Sequence, residues 1–226
     1  MLKKVNVFVF GLLLSIVLLL TSVEIVSFSS RHYEREFEKH HISTITGMDM
    51  KQLQYVIEEL LAYLRDERDD LHIIATVAGE EREVFGERER LHMVDVKELF
   101  VVGRKVRNSG VFLLGILLVI GIKKDKGWKK SLSETLMFTA IVNLGLMAAL
   151  SLLVYFDFTK YFDYFHFIFF DNDLWMLNPE TEILIQMLPE KFFYNTAVQI
   201  AMIYITTIIA LGVGGFFYNK KTDFTG

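Results

Sequence analysis

One histidine of this 226-residue chain lies in an unusual aromatic setting. His166 is inside the run Tyr155 to Phe170 (YFDFTKYFDYFHFIFF), in which ten of sixteen residues are Tyr or Phe. Aromatic rings with a polar edge favour the boundary between membrane and water. Burying an imidazole there without a partner is costly, and its pKa is easily moved to suit proton transfer. The run therefore predicts acid–base chemistry at a membrane surface.

The second candidate for chemistry is His92, within ERERLHMVDVKELF. Asp95, three residues on, could orient the imidazole. The simpler interpretation makes Asp95 the N-cap of a helix, with Glu98 at the third helical position. Near His166, three carboxylates could hold one tautomer of the ring: Asp163, Asp171 and Asp173.

A pair of histidines suits general acid–base catalysis better than covalent catalysis. The chain has no cysteine and no G-x-S-x-G motif, so an acyl-enzyme has little support. General acid–base transfer needs a substrate that supplies its own nucleophile and electrophile. A lipid with its reactive groups at the membrane surface meets that requirement.

The other four histidines are given structural interpretations. We expect His32, His40 and His41, in a segment rich in Arg and Glu, to be solvated interfacial side chains. His72 lies in a predicted strand and is expected in the core of the outer segment. No H-E-x-x-H or H-x-x-E-H spacing occurs, so neither a metal nor another cofactor is predicted.

Composition predicts a small polytopic membrane protein. Apolar residues make up 52% of the chain, and there are only two prolines. Three uncharged stretches exceed the roughly 18 residues that mark a candidate span: Val5 to Val23, Thr135 to Phe156 and Phe192 to Asn219. A shorter one, Asn108 to Ile122, is counted as a fourth because the topology requires it.

Basic residues set the expected orientation. They precede the first span, form most of the KKDKGWKK connection between the second and third spans, and follow the last span. The two other connecting segments are acidic overall. By the positive-inside rule both termini are cytoplasmic. No basic patch faces an accessible surface, so nucleic-acid binding is not expected. The N-terminus predicts an uncleaved signal anchor rather than a cleaved signal peptide.

The predicted fold is an α-helical integral membrane protein with four transmembrane helices and a small, mostly helical extracytoplasmic cap. In chain order, the predicted segments are transmembrane helix 1 (1–26), the cap (27–105), transmembrane helix 2 (106–122), a basic cytoplasmic loop (123–131), transmembrane helix 3 (132–156), an aromatic-rich extracytoplasmic active-site loop (157–191), transmembrane helix 4 (192–218) and a cytoplasmic tail (219–226).

Within the cap, apolar spacing predicts a helix over about 50–65, with Asp49 and Gln52 as a capping box. Leu71 to Val77 is a predicted strand, and 78–93 a turn-rich charged connection.

Two stretches resemble the lipoprotein intramolecular transacylases, a family of four-span bacterial membrane enzymes. They are RLHMVDVKELF and FDYFHFIFFDNDLWMLNPETEILIQMLPEKFF. The resemblance covers span order, outer cap, both motifs and the basic loop. It implies movement of the sn-2 acyl chain of a diacylglyceryl-lipoprotein onto the α-amino group of its own N-terminal cysteine, which leaves a lyso-form lipoprotein.

The resemblance also implies site residues. The catalytic histidines of the family match His92 and His166. One imidazole would take the proton of the attacking amine, and the other would stabilise the oxyanion or protonate the leaving glyceryl oxygen. The residues expected to confine the acyl chains or contact substrate are Phe162, Phe169, Phe170, Asn172 and Trp175. Asp95 and Asp173 are expected to orient, although Asn172 and Asp173 could equally cap the turn before Trp175.

Two other functions remain open on the residues alone. One is a non-enzymatic channel or transport accessory protein. The uncharged spans argue against it, because channels usually have ionisable residues there, and Asn143 is the notable polar side chain in these spans. The other is a lipid hydrolase that uses water as acceptor with the same histidines.

Overall fold

Four long helices dominate the fold. The computed structural model describes residues 2–224, and side-chain environments over 8–220. In that part of the chain, four helices are long and apolar enough to cross a membrane. They are α1 (Leu2–Ser27), α5 (Glu87–Lys124), α6 (Trp128–Phe156) and α9 (Glu190–Phe224). The prediction of a four-span helical membrane protein is confirmed.

The shorter elements lie between these helices. They are α2 (Ser30–Lys39), α3 (Ile42–Thr46), α4 (Met50–Leu64), β1 (Ile74–Val77), β2 (Glu80–Glu83), α7 (Phe158–Phe169) and α8 (Ile183–Met187). Contacts divide the chain into a membrane unit (1–24, 104–156 and 198–226) and a cap unit (25–103 and 157–197). The cap unit is mostly helical, as predicted.

The amphipathic helix α4 supplies much of the cap's core. Its apolar face is buried, as the spacing predicted. Asp49 is its N-cap, and the Asp49 carboxylate accepts a hydrogen bond from the backbone nitrogen of Gln52 at 2.8 Å. The Gln52 side chain does not complete a capping box. Its amide oxygen accepts from the backbone nitrogen of Thr76 at 3.2 Å, which ties α4 to β1.

The segment predicted as a charged connection contains a strand. β2 pairs antiparallel with β1, with Val77 opposite Glu80. Ala78 (φ 53°) and Gly79 (φ 87°) form the turn, and positive φ at both central residues is typical of a tight hairpin. All four residues of β2 are exposed, so the alternation that would have marked a strand is missing.

The start of α5 corrects the predicted role of Asp95. The helix begins at Glu87, not after Asp95, so Asp95 lies inside it and is not an N-cap. The buried Glu89 carboxylate accepts hydrogen bonds from the backbone nitrogens of Gly86 (2.5 Å) and Leu184 (2.6 Å). Glu89 thus caps α5 and attaches the α8 segment to its first turn. His92 consequently lies in the second turn of a helix.

The aromatic segment is also more regular than expected. Residues 157–191 were predicted as a loop, but they contain α7 and α8. Asp157 caps α7 by accepting a hydrogen bond from the Lys160 backbone nitrogen. Phe158, Phe162 and His166, spaced four residues apart, share one face of α7.

The membrane unit is joined by small residues and one polar cluster. Asn143 on α6 donates to the Ser15 hydroxyl of α1 at 2.8 Å and accepts from the Tyr204 hydroxyl of α9 at 2.6 Å. A Cβ added at Gly110 would lie 2.6 Å from Val17, so α1 and α5 can approach only because position 110 lacks a side chain. Small residues and interhelical hydrogen bonds are the usual means of packing membrane helices.

Candidate active site

The fold brings the two sequence-predicted histidines together. His92 is on α5 and His166 in the last turn of α7, and each has only 8% of its surface exposed. Their ring centroids are 6.2 Å apart at an interplanar angle of 39°. The α5 turn that carries His92 lies well before the uncharged stretch from Asn108, in the charged part of the helix and outside the membrane span.

One nitrogen of His166 is committed to the backbone. Its Nδ1 lies 2.8 Å from the carbonyl oxygen of Phe162, one turn earlier in α7. Because a carbonyl only accepts, Nδ1 carries the proton. In the neutral ring Nε2 therefore keeps its lone pair.

Aromatic rings enclose His166. Trp175 stacks on it with centroids 4.5 Å apart and planes at 19°, and Phe162 meets it edge-on at 4.5 Å. Phe170 contacts both imidazoles, at 5.6 Å from His166 and 5.4 Å from His92. Three of the aromatic residues predicted to line the site thus lie directly against the histidines.

His92 is buried to the same extent as His166. Within the described part of the chain, the buried Nδ1 of His92 has no hydrogen-bond partner. Burial lowers the pKa of His92 to about 4, aided by the neighbouring His166 and opposed by the Asp95 carboxylate. Burial also lowers the pKa of His166, against the opposing effect of its bond to Phe162. Both imidazoles are therefore neutral at neutral pH.

The polar residues of the second motif form a turn beside the histidines. The Asn172 side-chain amide donates to the Asp95 carboxylate at 2.9 Å, and its oxygen accepts from the Leu174 backbone nitrogen at 3.0 Å. The Asn172 carbonyl accepts from the indole nitrogen of Trp175 at 3.1 Å. The hydrogen-bond partner of Asp95 is therefore Asn172 in this turn and not one of the imidazoles.

Two predicted site residues lie elsewhere. Phe169 is 53% exposed and packs on Phe165 at 4.8 Å. The Asp173 side chain is 75% exposed and pairs with Arg88 at 3.5 Å. Phe165, which the sequence analysis did not single out, meets His166 edge-on at 5.5 Å. Phe165 directly precedes His166 in the sequence, so helical spacing did not predict that the two rings would be in contact.

The remaining histidines depart from expectation in three cases of four. His32 is not solvated: it is 2% exposed, and its Nε2 lies 2.8 Å from the Thr196 hydroxyl. His40 is largely covered and pairs with Glu36 at 3.1 Å. His72, predicted in the cap core, has a 63% exposed side chain. His41 is exposed, as predicted.

Comparison with known proteins agrees with this architecture. The family model of the lipoprotein intramolecular transacylase Lit matches residues 8–193. An uncharacterised protein from Aquifex aeolicus is 26% identical over 134 residues, which cover 59% of this chain and 57% of that one. The chain thus spans little more than half the length of this curated relative.

Two in meso structures are similar in fold. The membrane integral lipoprotein intramolecular transacylase Lit from Bacillus cereus is 23% identical, with a TM-score of 0.79, and the match covers 100% of this chain and 99% of that chain. A variant of that protein with one histidine replaced by alanine gives 22% identity and a TM-score of 0.76, over 99% of this chain and 96% of that one. Because the family model covers most of its length, the chain belongs to the lipoprotein intramolecular transacylase Lit family.

Proposed function

We propose that this protein is a membrane acyltransferase that moves the sn-2 acyl chain of a diacylglyceryl-lipoprotein to the α-amino group of its N-terminal cysteine. Family membership supports the class of reaction. The observation that carries the mechanism is the pair of buried, neutral imidazoles of His92 and His166, 6.2 Å apart. Such a pair can accept one proton and donate another without a charged resting state.

His166 is the general base in this proposal. Its Nδ1 proton is held by the Phe162 carbonyl, which leaves the Nε2 lone pair for the attacking amine. The imidazolium that forms would lie against the face of Trp175, and an aromatic face attracts a cation. Ring position and developing charge are therefore stabilised by the same contacts.

His92 is the hydrogen-bond donor. A buried N–H without an acceptor is rarer in proteins than a buried acceptor without a donor. The unpartnered, buried Nδ1 is thus best left without a proton, which places the proton of His92 on Nε2. From there it can stabilise the oxyanion by donating a hydrogen bond.

The reaction balances with these two roles. The amine nitrogen forms a bond to the ester carbonyl carbon, and His166 takes the proton that the nitrogen loses. The bond between that carbon and the glyceryl sn-2 oxygen then breaks, and the oxygen receives the proton that His166 holds, while the N–H of His92 hydrogen-bonds to the developing negative charge. Both imidazoles are then neutral again, as at the start. The products are an amide and a free glyceryl hydroxyl, with no water consumed.

The aromatic residues have two proposed roles. Phe162, Phe170 and Trp175 enclose the imidazoles and would exclude water while holding ester and amine together, an entropic contribution that can reach several kcal/mol. The exposed ring of Phe169 is suited to contact an acyl chain or membrane lipid instead.

The competing functions have less support. A hydrolase must admit water to the ester, and both imidazoles are buried among aromatic rings. A permeation path needs polar groups available to a solute. The side chain of Asn143 is buried, donates to Ser15 and the Thr139 carbonyl, and accepts from Tyr204.

Mass spectrometry of a reporter lipoprotein tests the proposal. A bacterial host that makes only diacylglyceryl-lipoproteins would express the protein. The expected product is an N-acyl, S-monoacylglyceryl peptide of unchanged total mass, because transfer within one molecule adds and removes nothing, and fragment ions that carry the acyl chain on the α-amino group distinguish it from the unmodified reporter. Free fatty acid with a lighter lipoprotein would indicate the hydrolase, and an unmodified reporter would indicate a non-enzyme.

A further inference from the structure

A continuous set of contacts leads from Asp95 to the face of His166. Asp95 accepts from the Asn172 side chain, the Asn172 carbonyl accepts from the Trp175 indole, and Trp175 stacks on His166. The first contact joins positions 77 residues apart in sequence. The residues belong to α5, the turn after α7, and α7 itself.

Asn172 is occupied on three sides. Its side-chain nitrogen bonds Asp95, its side-chain oxygen accepts from Leu174, and its backbone oxygen accepts from Trp175. These contacts determine the shape of the turn and the position of the indole. An amide used in this way holds a turn and is poorly placed to bind substrate.

We propose that the Asp95–Asn172 hydrogen bond is a positioning device that holds Trp175 against His166. The catalytic consequence of this bond rests on the proposed function. With Trp175 in place, the His166 imidazole is held by the indole and Phe162, so its Nε2 keeps one orientation. Asp95 and Asn172 are positioning residues in this account, and they act through Trp175.

Hydrogen bonding must be separated from charge, because Asp95 also favours the protonated form of His92. Asp95→Asn keeps an acceptor oxygen for Asn172 but removes the charge, whereas Asp95→Leu removes both. If the hydrogen bond matters, D95N stays close to wild type and D95L loses about ten- to a hundredfold in kcat with little change in KM. Glu98→Gln, an exposed change on the same helix, is the matched control.

The stack itself can be measured without activity. The chain has two tryptophans, so Trp128→Phe leaves Trp175 as the single reporter. Protonated imidazole quenches indole fluorescence at contact far more than neutral imidazole does. Fluorescence of the purified W128F protein should fall as pH drops below 6.5, and His166→Gln should remove this transition. The charged or titratable groups nearby are His92, Asp95 and Arg88 on α5, and Asp163 on α7.

In the W128F background, D95L should abolish the transition and D95N should keep it. Asn172→Asp should also abolish it, since two carboxylates would face each other, and adding D95N should restore it because the donor and acceptor are exchanged. This swap needs no apolar substitution, so it tests the bond even if D95L does not fold.

Two results would overturn the proposal. One is an unchanged transition in D95L or in N172D. The other is a D95N variant as impaired as D95L, which would show that charge is responsible. Failure of the transacylase proposal would instead appear as no lyso-form product from wild type, with the fluorescence transition still present.

Discussion

His92 and His166 lie close enough to oppose each other's protonation. Their ring centroids are 6.2 Å apart, and no hydrogen bond joins the rings within the described chain. Burial is the larger cause of the depressed pKa of His92, and the neighbouring imidazole adds to it. A proton on His166 therefore disfavours a second proton on His92, and above about pH 4 the two rings hold at most one added proton.

The first prediction concerns stability at low pH. Unfolded His92 binds a proton below about pH 6.5, whereas folded His92 stays neutral until about pH 4. The unfolded state thus binds more protons in that window, and stability falls as pH drops through it. His92→Gln should weaken this dependence without removing it, because His166 and His32 also have lowered pKa values.

The measurement is the thermal midpoint of purified protein in detergent at pH 7.5 and pH 5. The wild type should lose more thermal stability between these values than H92Q. Equal losses in the two proteins would contradict the assigned pKa of His92.

The second prediction separates a structural histidine from the proposed catalytic pair. The Thr196 hydroxyl donates to the Phe192 carbonyl, so it accepts from His32. Removing the buried His32 imidazole leaves that oxygen without its donor, at a cost of about 2 kcal/mol. We expect His32→Ala to lower the thermal midpoint but to retain activity per folded molecule, while His41→Ala changes neither. Loss of activity in fully folded H32A protein would show that the assignment is wrong.

The third prediction is the orientation of the chain. Asp69 in the cap and Lys126 in the basic loop are both exposed, and the chain has no natural cysteine. Asp69→Cys should react with a membrane-impermeant thiol reagent in intact cells, and Lys126→Cys only after the membrane is opened. The reverse pattern would place both termini outside.

The long uncharged stretches predicted the four-span fold correctly, whereas local capping and spacing patterns predicted the shorter elements less well. The four spans follow from long uncharged stretches, which do not depend on tertiary detail. The predicted start of α5 was wrong because both Asp95 and Glu89 are residue types that cap helices. Glu89 is the one that does so here, and it also accepts a hydrogen bond from the backbone nitrogen of Leu184, which is distant in sequence. The charge-dense α2 was not predicted, although Tyr33 and Phe37 have helical spacing and are both buried.

The candidate site was likewise predicted only in part. The histidines and the aromatic run were visible as residue types, whereas Phe162, Phe170 and Trp175 were expected as site residues from the family resemblance. The hydrogen bond between Asn172 and Asp95 was not predicted, because the two residues are 77 positions apart in sequence and meet only in the folded cap. His32 was misassigned because residues that contact its buried ring are distant in sequence, such as Thr196, 164 positions away.

The central claim is that His92 and His166 act as one catalytic unit. Single-turnover production of lyso-form lipoprotein by His92→Ala, His166→Ala and the double variant, measured by mass spectrometry in detergent, tests it most directly. Each variant must be fully folded, as judged by a cooperative thermal transition.

Residues that act as a unit are non-additive, so each single variant should lose most of the activity and the double variant should be little worse than either. Near-wild-type turnover by either single variant, or a double variant whose loss equals the product of the two single losses, would contradict the two-histidine account.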